Sequence, residues 1–208
     1  MSSNTLGVRQ AQKRKTREAL LDAGLRLLEE QSLSSLGLRE VTRVVGVAPA
    51  AFYRHFRDMA DLGVALVGES LGSLHVVVRA VLAERSEAEE VIDGTVEAVA
   101  AHVELHPAHV RFIARERHGG VRAVREAIGA ELDRFGDEVA EALGAQELSA
   151  GWSAEDVRML AGLYVDHLVM TASAFIEAAG PEERRRIADT ARRQLRLISL
   201  GRRHWLDG

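Results

Sequence analysis

The chain has 208 residues, 27 Lys+Arg against 31 Asp+Glu, 47% hydrophobic residues, three prolines and no cysteine. Without cysteine there is no disulfide framework, thiolate nucleophile, zinc finger or iron–sulfur cluster. So few prolines beside so much apolar content argue against a long disordered region. The charge is unevenly placed: residues 1–57 hold ten basic and five acidic residues, 58–181 hold nine and twenty-two, and 182–208 hold eight and four. A basic head on an acidic body suits a small polyanion-binding module joined to a second function. No apolar run approaches the ~18 residues of a membrane span, and Met1–Gly7 is too short and polar for a signal peptide. A cytoplasmic protein without a membrane partner is expected.

Residues 12–31 carry Leu20, Ala23, Gly24, Leu27 and Gln31 at helical spacing, with Leu21, Leu25 and Leu28 widening the stripe. Lys13, Arg14, Lys15 and Arg17 stand at the start of this helix, the end where its dipole disfavours cations; an anionic partner suits that end, and a solvated helix end explains them equally well. Ser32–Gly37 reads as a turn, and 38–45 as a short helix with Val41, Val44 and Val45 inward. Gly46 can end that helix in a left-handed conformation, and Pro49 suits the first position of the next. In the segment 49–56, Phe52 and Phe56 anchor the inner face and leave Ala50, Ala51, Tyr53, Arg54 and Arg57 outward. Helix, turn with glycine, then a short basic helix is the helix-turn-helix pattern.

Six more helices are expected over 59–84, 87–105, 107–117, 121–143, 154–178 and 182–203. The breaks between them fall at Ser86, His106-Pro107, Gly119-Gly120, 144–153 and Gly180-Pro181. No strand-like alternation interrupts them. The expectation is an all-α chain of about nine helices: a DNA-binding domain over 1–57 and a ligand-binding and dimerisation domain over 58–208.

The segment from Arg14 to Leu62 resembles the DNA-binding domain of the TetR family of transcriptional regulators. The matching residues are RKTREALLDAGLRLLEE, LREVTRVVGV and AFYRHFRDMADL, above all Gly46-Val47 followed by Phe52-Tyr53-x-His55-Phe56. Within that family, APAAFYRHFRDMADLG and RFIARERHGG look like the FabR and DesT branch, which regulates unsaturated fatty acid synthesis. The resemblance implies that Arg39 reaches a base edge or phosphate and that Pro49, Ala50 and Ala51 face the major groove. It gives Tyr53 and His55 to phosphates and Arg54 to either role. Three positions depart from the family pattern. Gly37 and Leu38 stand where a hydroxyl often caps the second helix, Ala51 replaces a common Ser or Thr, and Met59 replaces a phosphate-binding Lys.

The body offers aliphatic residues for a ligand chamber, among them Leu74, Val78, Val96, Val99, Val103, Phe112, Ile128, Leu132, Phe135, Leu163 and Val169. Such a lining suits a hydrocarbon chain better than a planar ring system, and an ordinary aliphatic core fits the same residues nearly as well. Five of the nine arginines in residues 58–181 fall between 111 and 125: Arg111, Arg115, Arg117, Arg122 and Arg125. They suit a phosphate or carboxylate head group; pairing with Glu116 and Glu126 explains them equally well. The branch resemblance implies an acyl-CoA or related thioester as effector. Two stripes, Val157, Leu160, Tyr164 and Leu168, then Ile187, Ala191, Leu195 and Ile198, are expected at a homodimer interface. The two-fold axis would match a palindromic operator in double-stranded DNA.

Of His102, His106, His109 and His118, the first three have spacings a metal site could use. Pro107 breaks the run and no carboxylate stands at ligand spacing, so neither metal nor cofactor is expected. Phosphate-loop, nucleophile-elbow and metalloprotease motifs are missing from the sequence, which gives catalysis no support. The favoured reading is a ligand-responsive repressor of lipid or fatty acid genes. Its alternatives are a TetR-like regulator of efflux or drug response, and an acyl-chain-binding protein without DNA function.

Overall fold

A computed structural model describes residues 2–84 and 88–207, with all their side chains except those of 2–6, 77, 81–84 and 207. The described residues form nine α-helices and two short 3-10 turns, with no strand. The helices are α1 (Ser2–Leu27), α2 (Leu38–Val45), α3 (Pro49–Phe52), α4 (Met59–Glu84), α5 (Ala88–Leu105), α6 (Pro107–Glu116), α7 (Arg122–Gly144), α8 (Ala154–Glu177) and α9 (Pro181–Arg203). The break expected at Ser86 lies outside the described residues.

Two elements differ from expectation. α1 begins ten residues early, because nothing between Ser2 and Lys13 breaks a helix except one tolerated glycine, Gly7. It ends at Leu27, after which the chain tightens into i→i+3 bonds from the Glu29 N–H to the Arg26 carbonyl (3.2 Å) and from Glu30 to Leu27 (3.3 Å). α3 is regular only to Phe52. Tight turns carry it on, His55 N–H donating to the Phe52 carbonyl at 2.9 Å and Phe56 N–H at 3.0 Å.

The caps of α2 explain how the turn holds its angle. The Gly37 N–H donates to Glu40 Oε1 at 2.9 Å, so the helix's third residue satisfies the N-cap backbone, while no side chain stands in for the missing hydroxyl at the first-turn N–H groups. At the other end Gly46 takes φ +74°, and the Val47 N–H returns to the Thr42 carbonyl at 3.0 Å. A β-carbon at position 46 would be strained in that left-handed conformation.

Two hydrophobic cores follow from this arrangement. The first joins Leu20, Leu21, Ala23 and Leu25 of α1, with Leu28 just beyond it, to Val41, Phe52 and Phe56. It extends past residue 57 into Leu62, Leu66 and Val67 of α4, and takes Phe112, Ile113, Val124 and Ile128 from α6 and α7. The second is built by α4, α5, α7, α8 and α9 around Val96, Val99, Val103, Phe135, Leu160, Val165, Leu168 and Leu195. Gly63 marks the tightest crossing: a β-carbon there would stand 2.4 Å from Leu33 Cδ2 and 2.7 Å from Val124 Cγ2.

The segment Met59–Ala80 and the helix α8 reach the length and hydropathy of a membrane span, with mean hydropathies of 1.4 and 1.5. The expectation of no such run missed them because scattered glycines, serines and single charges hide the stretch. α4 packs its apolar residues into both cores, and α8 packs its own into the second.

Candidate nucleic-acid interface and effector chamber

The head presents a basic surface around a buried aromatic anchor. Phe52 and Phe56 are buried with ring centroids 5.5 Å apart, so the short α3 is pinned from below. The opposite side is open: Arg39, Pro49, Ala50, Arg54 and Arg57 are exposed, and Tyr53 is 63% exposed. Ala51 and His55 are half-buried, so Ala51 offers less of its methyl than its neighbour Ala50.

Lys13, Arg14 and Arg17 of α1 are exposed as well. Arg17 lies 5.2 Å over the Phe56 ring, which brings α1 and the end of the α3 turn onto one surface. Partial burial, then the positive field of Lys13, Arg17 and Arg54, pushes the His55 ring below its ordinary pKa. Arg57 is less available than its exposure suggests, since its Nη2 meets Asp61 Oδ1 at 3.0 Å.

The junction between head and body contains two polar contacts that composition could not reveal. Arg115 of α6 reaches across to the end of α1, where its Nη1 donates to the Leu28 and Gln31 carbonyls at 2.7 and 2.8 Å and its Nη2 to Glu29 at 3.2 Å. These carbonyls lie just past the helix end and lack helical donors, so a guanidinium fits them. The next residue, Glu116, is 1% exposed, and its Oε1 accepts from the Leu33 N–H at 2.8 Å. Gly119 packs against the other oxygen, 2.2 Å from where a β-carbon would stand.

The expected arginine cluster is thereby dispersed. Arg115 caps α1, Arg122 Nε pairs with Glu126 at 2.7 Å, Arg117 reaches Asp166 at 3.2 Å, and Arg125 donates to the Gly119 carbonyl at 2.6 Å. Arg111 is exposed on α6. They do not converge on one head-group pocket, because Arg115, Arg117, Arg122 and Arg125 each have a different partner.

The expected chamber wall divides in the same way. Val78, Val99, Val103 and Phe135 belong to the body core, whereas Phe112 and Ile128 belong to the head core; Leu132 touches both. Leu163 is 50% exposed and lines neither, since it lies on the outer side of α8. An apolar cavity of about 20 Å³ does lie between α4, α7 and α8, lined by Leu71, Leu74, Leu132, Phe135, Val165, Leu168 and Val169 with His75 and Glu131 at its edge. His75 Nε2 is 2.8 Å from Glu138 Oε2, and its ring is 4.8 Å from Phe135. Arg79 and Arg134 stand beside Glu138 and Glu131 at this rim. Sequence reasoning missed His75, Glu138, Arg79 and Arg134; only the i+4 steps from Leu71 to His75 and from Glu131 to Phe135 hint that they share a site.

The expected dimer stripes point inward. Val157, Leu160, Leu168, Ala191 and Leu195 are buried within one chain, and Tyr164, Ile187 and Ile198 are half-buried against the same core. The exposed apolar side chains lie one register over: Met159, Leu163 and Met170 on α8, Leu197 and Leu200 on α9. Between the two helices runs an open groove of about 420 Å³, lined in part by His167, Met170, Thr171, Ile187, Thr190 and Gln194.

His102, His106 and His109 do meet, with ring centroids 4.9 and 5.6 Å apart. Burial and then its two neighbours push the His102 ring down to about 4. Among the described residues no group of His, Asp and Glu is arranged to hold a metal ion.

Residues 20–66 match the family model of bacterial regulatory proteins, tetR family. The chain is similar in fold to FadR, a fatty acid degradation regulator from Bacillus halodurans, with a TM-score of 0.71, 15% identity and coverage of 86% of this chain and 94% of that one. FadR from Bacillus subtilis in complex with stearoyl-CoA gives a TM-score of 0.70 at 14% identity, covering 86% and 96%. AibR in complex with isovaleryl coenzyme A and operator DNA gives 0.65 at 15%, covering 86% and 97%. The head therefore matches the tetR family model over residues 20–66, and the chain shares its fold with these regulators over 86% of its length.

Proposed function

We propose that the chain is a cytoplasmic, homodimeric repressor of lipid or fatty acid genes that reads a palindromic operator and answers a long-chain acyl-CoA. The observation that carries the DNA-binding part is the open face of Arg39, Pro49, Ala50, Tyr53 and Arg54 over the buried Phe52–Phe56 pair. Small apolar groups at 49 and 50 suit thymine methyls, and the exposed arginines and Tyr53 suit phosphates or base edges. The exposed Met159, Leu163, Met170, Leu197 and Leu200 would meet a second copy and set two heads one helical turn apart.

Support for the effector comes from the aliphatic cavity between α4, α7 and α8, and from stearoyl-CoA and isovaleryl coenzyme A in two proteins of the same fold. A tail entering that cavity would have to part α4, α7 and α8, since the space is far smaller than an acyl chain. For the polar head the rim arginines Arg79 and Arg134 replace the dispersed 111–125 cluster. The parting would reach the DNA face through α6, whose Arg115 and Glu116 hold the end of α1 and Leu33.

Selection of random duplexes with the purified protein, followed by titration of the complex with saturated and unsaturated acyl-CoA and free coenzyme A, tests this reading. A thioester should change affinity by about 5- to 150-fold, and free coenzyme A by little. Arg115→Ala should still bind DNA but respond less to the thioester. If no thioester moves the equilibrium and a hydrophobic drug does, the effector is of the efflux type.

A further inference from the structure

We infer that the N-terminal turns of α1 form a basic arm that lies along the DNA backbone flanking each half-site; this rests on the DNA-binding reading above. α1 is one continuous helix of 26 residues, yet its inward side chains begin only at Leu20. Residues 7–15 are exposed throughout, so the helix continues for several turns beyond the core that holds it. Tertiary packing does not explain that length, and an isolated helix of this size is marginal in water.

Its composition points to the occupant. Residues 7–17 contain Arg9, Lys13, Arg14, Lys15 and Arg17 and no acidic residue, within a chain that elsewhere carries an acidic excess and has no other lysine. Arg9, Lys13 and Arg17 follow one another at i+4 and so share one side of the helix. That side is continuous with the recognition surface. Arg17 sits over Phe56, and Lys13, Arg17 and Arg54 together act on the His55 ring. From Arg17 back to Arg9 the helix advances ~12 Å at ~1.5 Å per residue, a distance over which duplex DNA presents several phosphates. Partial ion pairs inside the head, Arg14 with Glu18 at 3.4 Å and Arg17 with Glu69 at 3.8 Å, leave Arg9, Lys13 and Lys15 as the arm's outermost charges. A polyanion of fixed spacing is the partner that such a row fits.

The test uses the full-length protein and a duplex obtained by selection, prepared once as the bare palindrome and once with ten additional base pairs on each side. Wild type should bind the longer duplex more tightly, with a steeper dependence on salt. Each phosphate contact contributes ~0.9 to the slope of log affinity against log salt. Arg9→Ala/Lys13→Ala/Lys15→Ala should flatten that slope by about 2 per protomer, since Lys15 lies round the helix from Arg9 and Lys13, and abolish the advantage of the flanks, while leaving thermal unfolding unchanged. Equal affinity of wild type for the two duplexes would overturn the arm and leave the regulator reading intact. Equal losses by the variant on both duplexes would do the same, because they would place the three cations on the half-site itself. Failure of wild type to select any duplex would overturn the DNA-binding reading and the arm with it.

Discussion

The head and the body solve the packing problem differently. In the head core Leu20, Ala23, Val41, Phe52, Leu62 and Leu66 are completely buried, and Gly63 lets α4 approach Leu33 and Val124 more closely than a β-carbon would permit. The body core is richer in valine and alanine, keeps a small apolar cavity beside His75 and Phe135, and leaves methionines and leucines exposed along α8 and α9. A tightly filled core fixes the angle of a short recognition element, whereas a loosely filled one can admit a guest and a partner. Under the proposed function the head is the part that holds its shape and the body the part that changes.

Phe52→Ala should give the largest effect, because it empties the centre of the tightly packed side. A buried phenylalanine truncated to alanine costs about 3–5 kcal/mol. Here it also removes the anchor under Tyr53 and Arg54. Chemical unfolding should register the loss and duplex binding should disappear; an unfolding midpoint near wild type would show that the head core is not the rigid element described.

The second comparison sets one side of α9 against the other. Leu195 is 3% exposed inside a single chain, whereas Leu197 is 70% exposed. Leu195→Glu would bury an unpaired carboxylate and should destabilise the protomer by several kcal/mol, about 3 or more. Leu197→Glu should leave the protomer within about 0.5 kcal/mol of wild type and act only on assembly. Sedimentation and urea unfolding of the two variants separate these outcomes. An unaltered dimer in Leu197→Glu would move the interface away from this face of α9.

Much of this was legible in the sequence, and the failures have a common cause. The helix-turn-helix, the six later helices and the inward Phe52–Phe56 pair follow from local periodicity and from Gly46 and Pro49. Local pattern also gives an apolar stripe, but it cannot say whether that stripe covers the chain's own core or a neighbour's. This is why Leu160, Leu168 and Leu195 were placed on the wrong side of α8 and α9. The arginine cluster failed similarly. Density along the chain brought Arg111 to Arg125 together, while the partners that disperse them, the carbonyls of Leu28, Glu29 and Gln31 and the carboxylate of Asp166, come from remote segments. Glu116 could be noticed only as a lone acid in a basic stretch, and its bond to the Leu33 N–H spans 83 residues.

The histidine corner between α5 and α6 gives the smallest effect and tests whether the junction is as closely packed as the head. His102 is 4% exposed, and burial, then the neighbouring His106 and His109, lowers its pKa from 6.5 to about 4. His109 is lowered as well, by burial and then His106, with Asp22 of α1 opposing. The folded chain therefore binds fewer protons at His102 than the unfolded chain whenever the pH lies between these two values. Its contribution to stability is fully present above about pH 6.5 and drains away as the pH falls toward 4, below which no more is lost. A shift of that size corresponds to about 3 kcal/mol at most, with less expected where water can relax around the ring. Urea unfolding at pH 7 and pH 5 should show wild type weaker at the lower pH, and His102→Gln should show a shallower decline, the remainder arising from His109 and the carboxylates. If the two proteins lose stability in parallel, His102 is not held neutral by burial, and the corner is open to water in a way the head core is not.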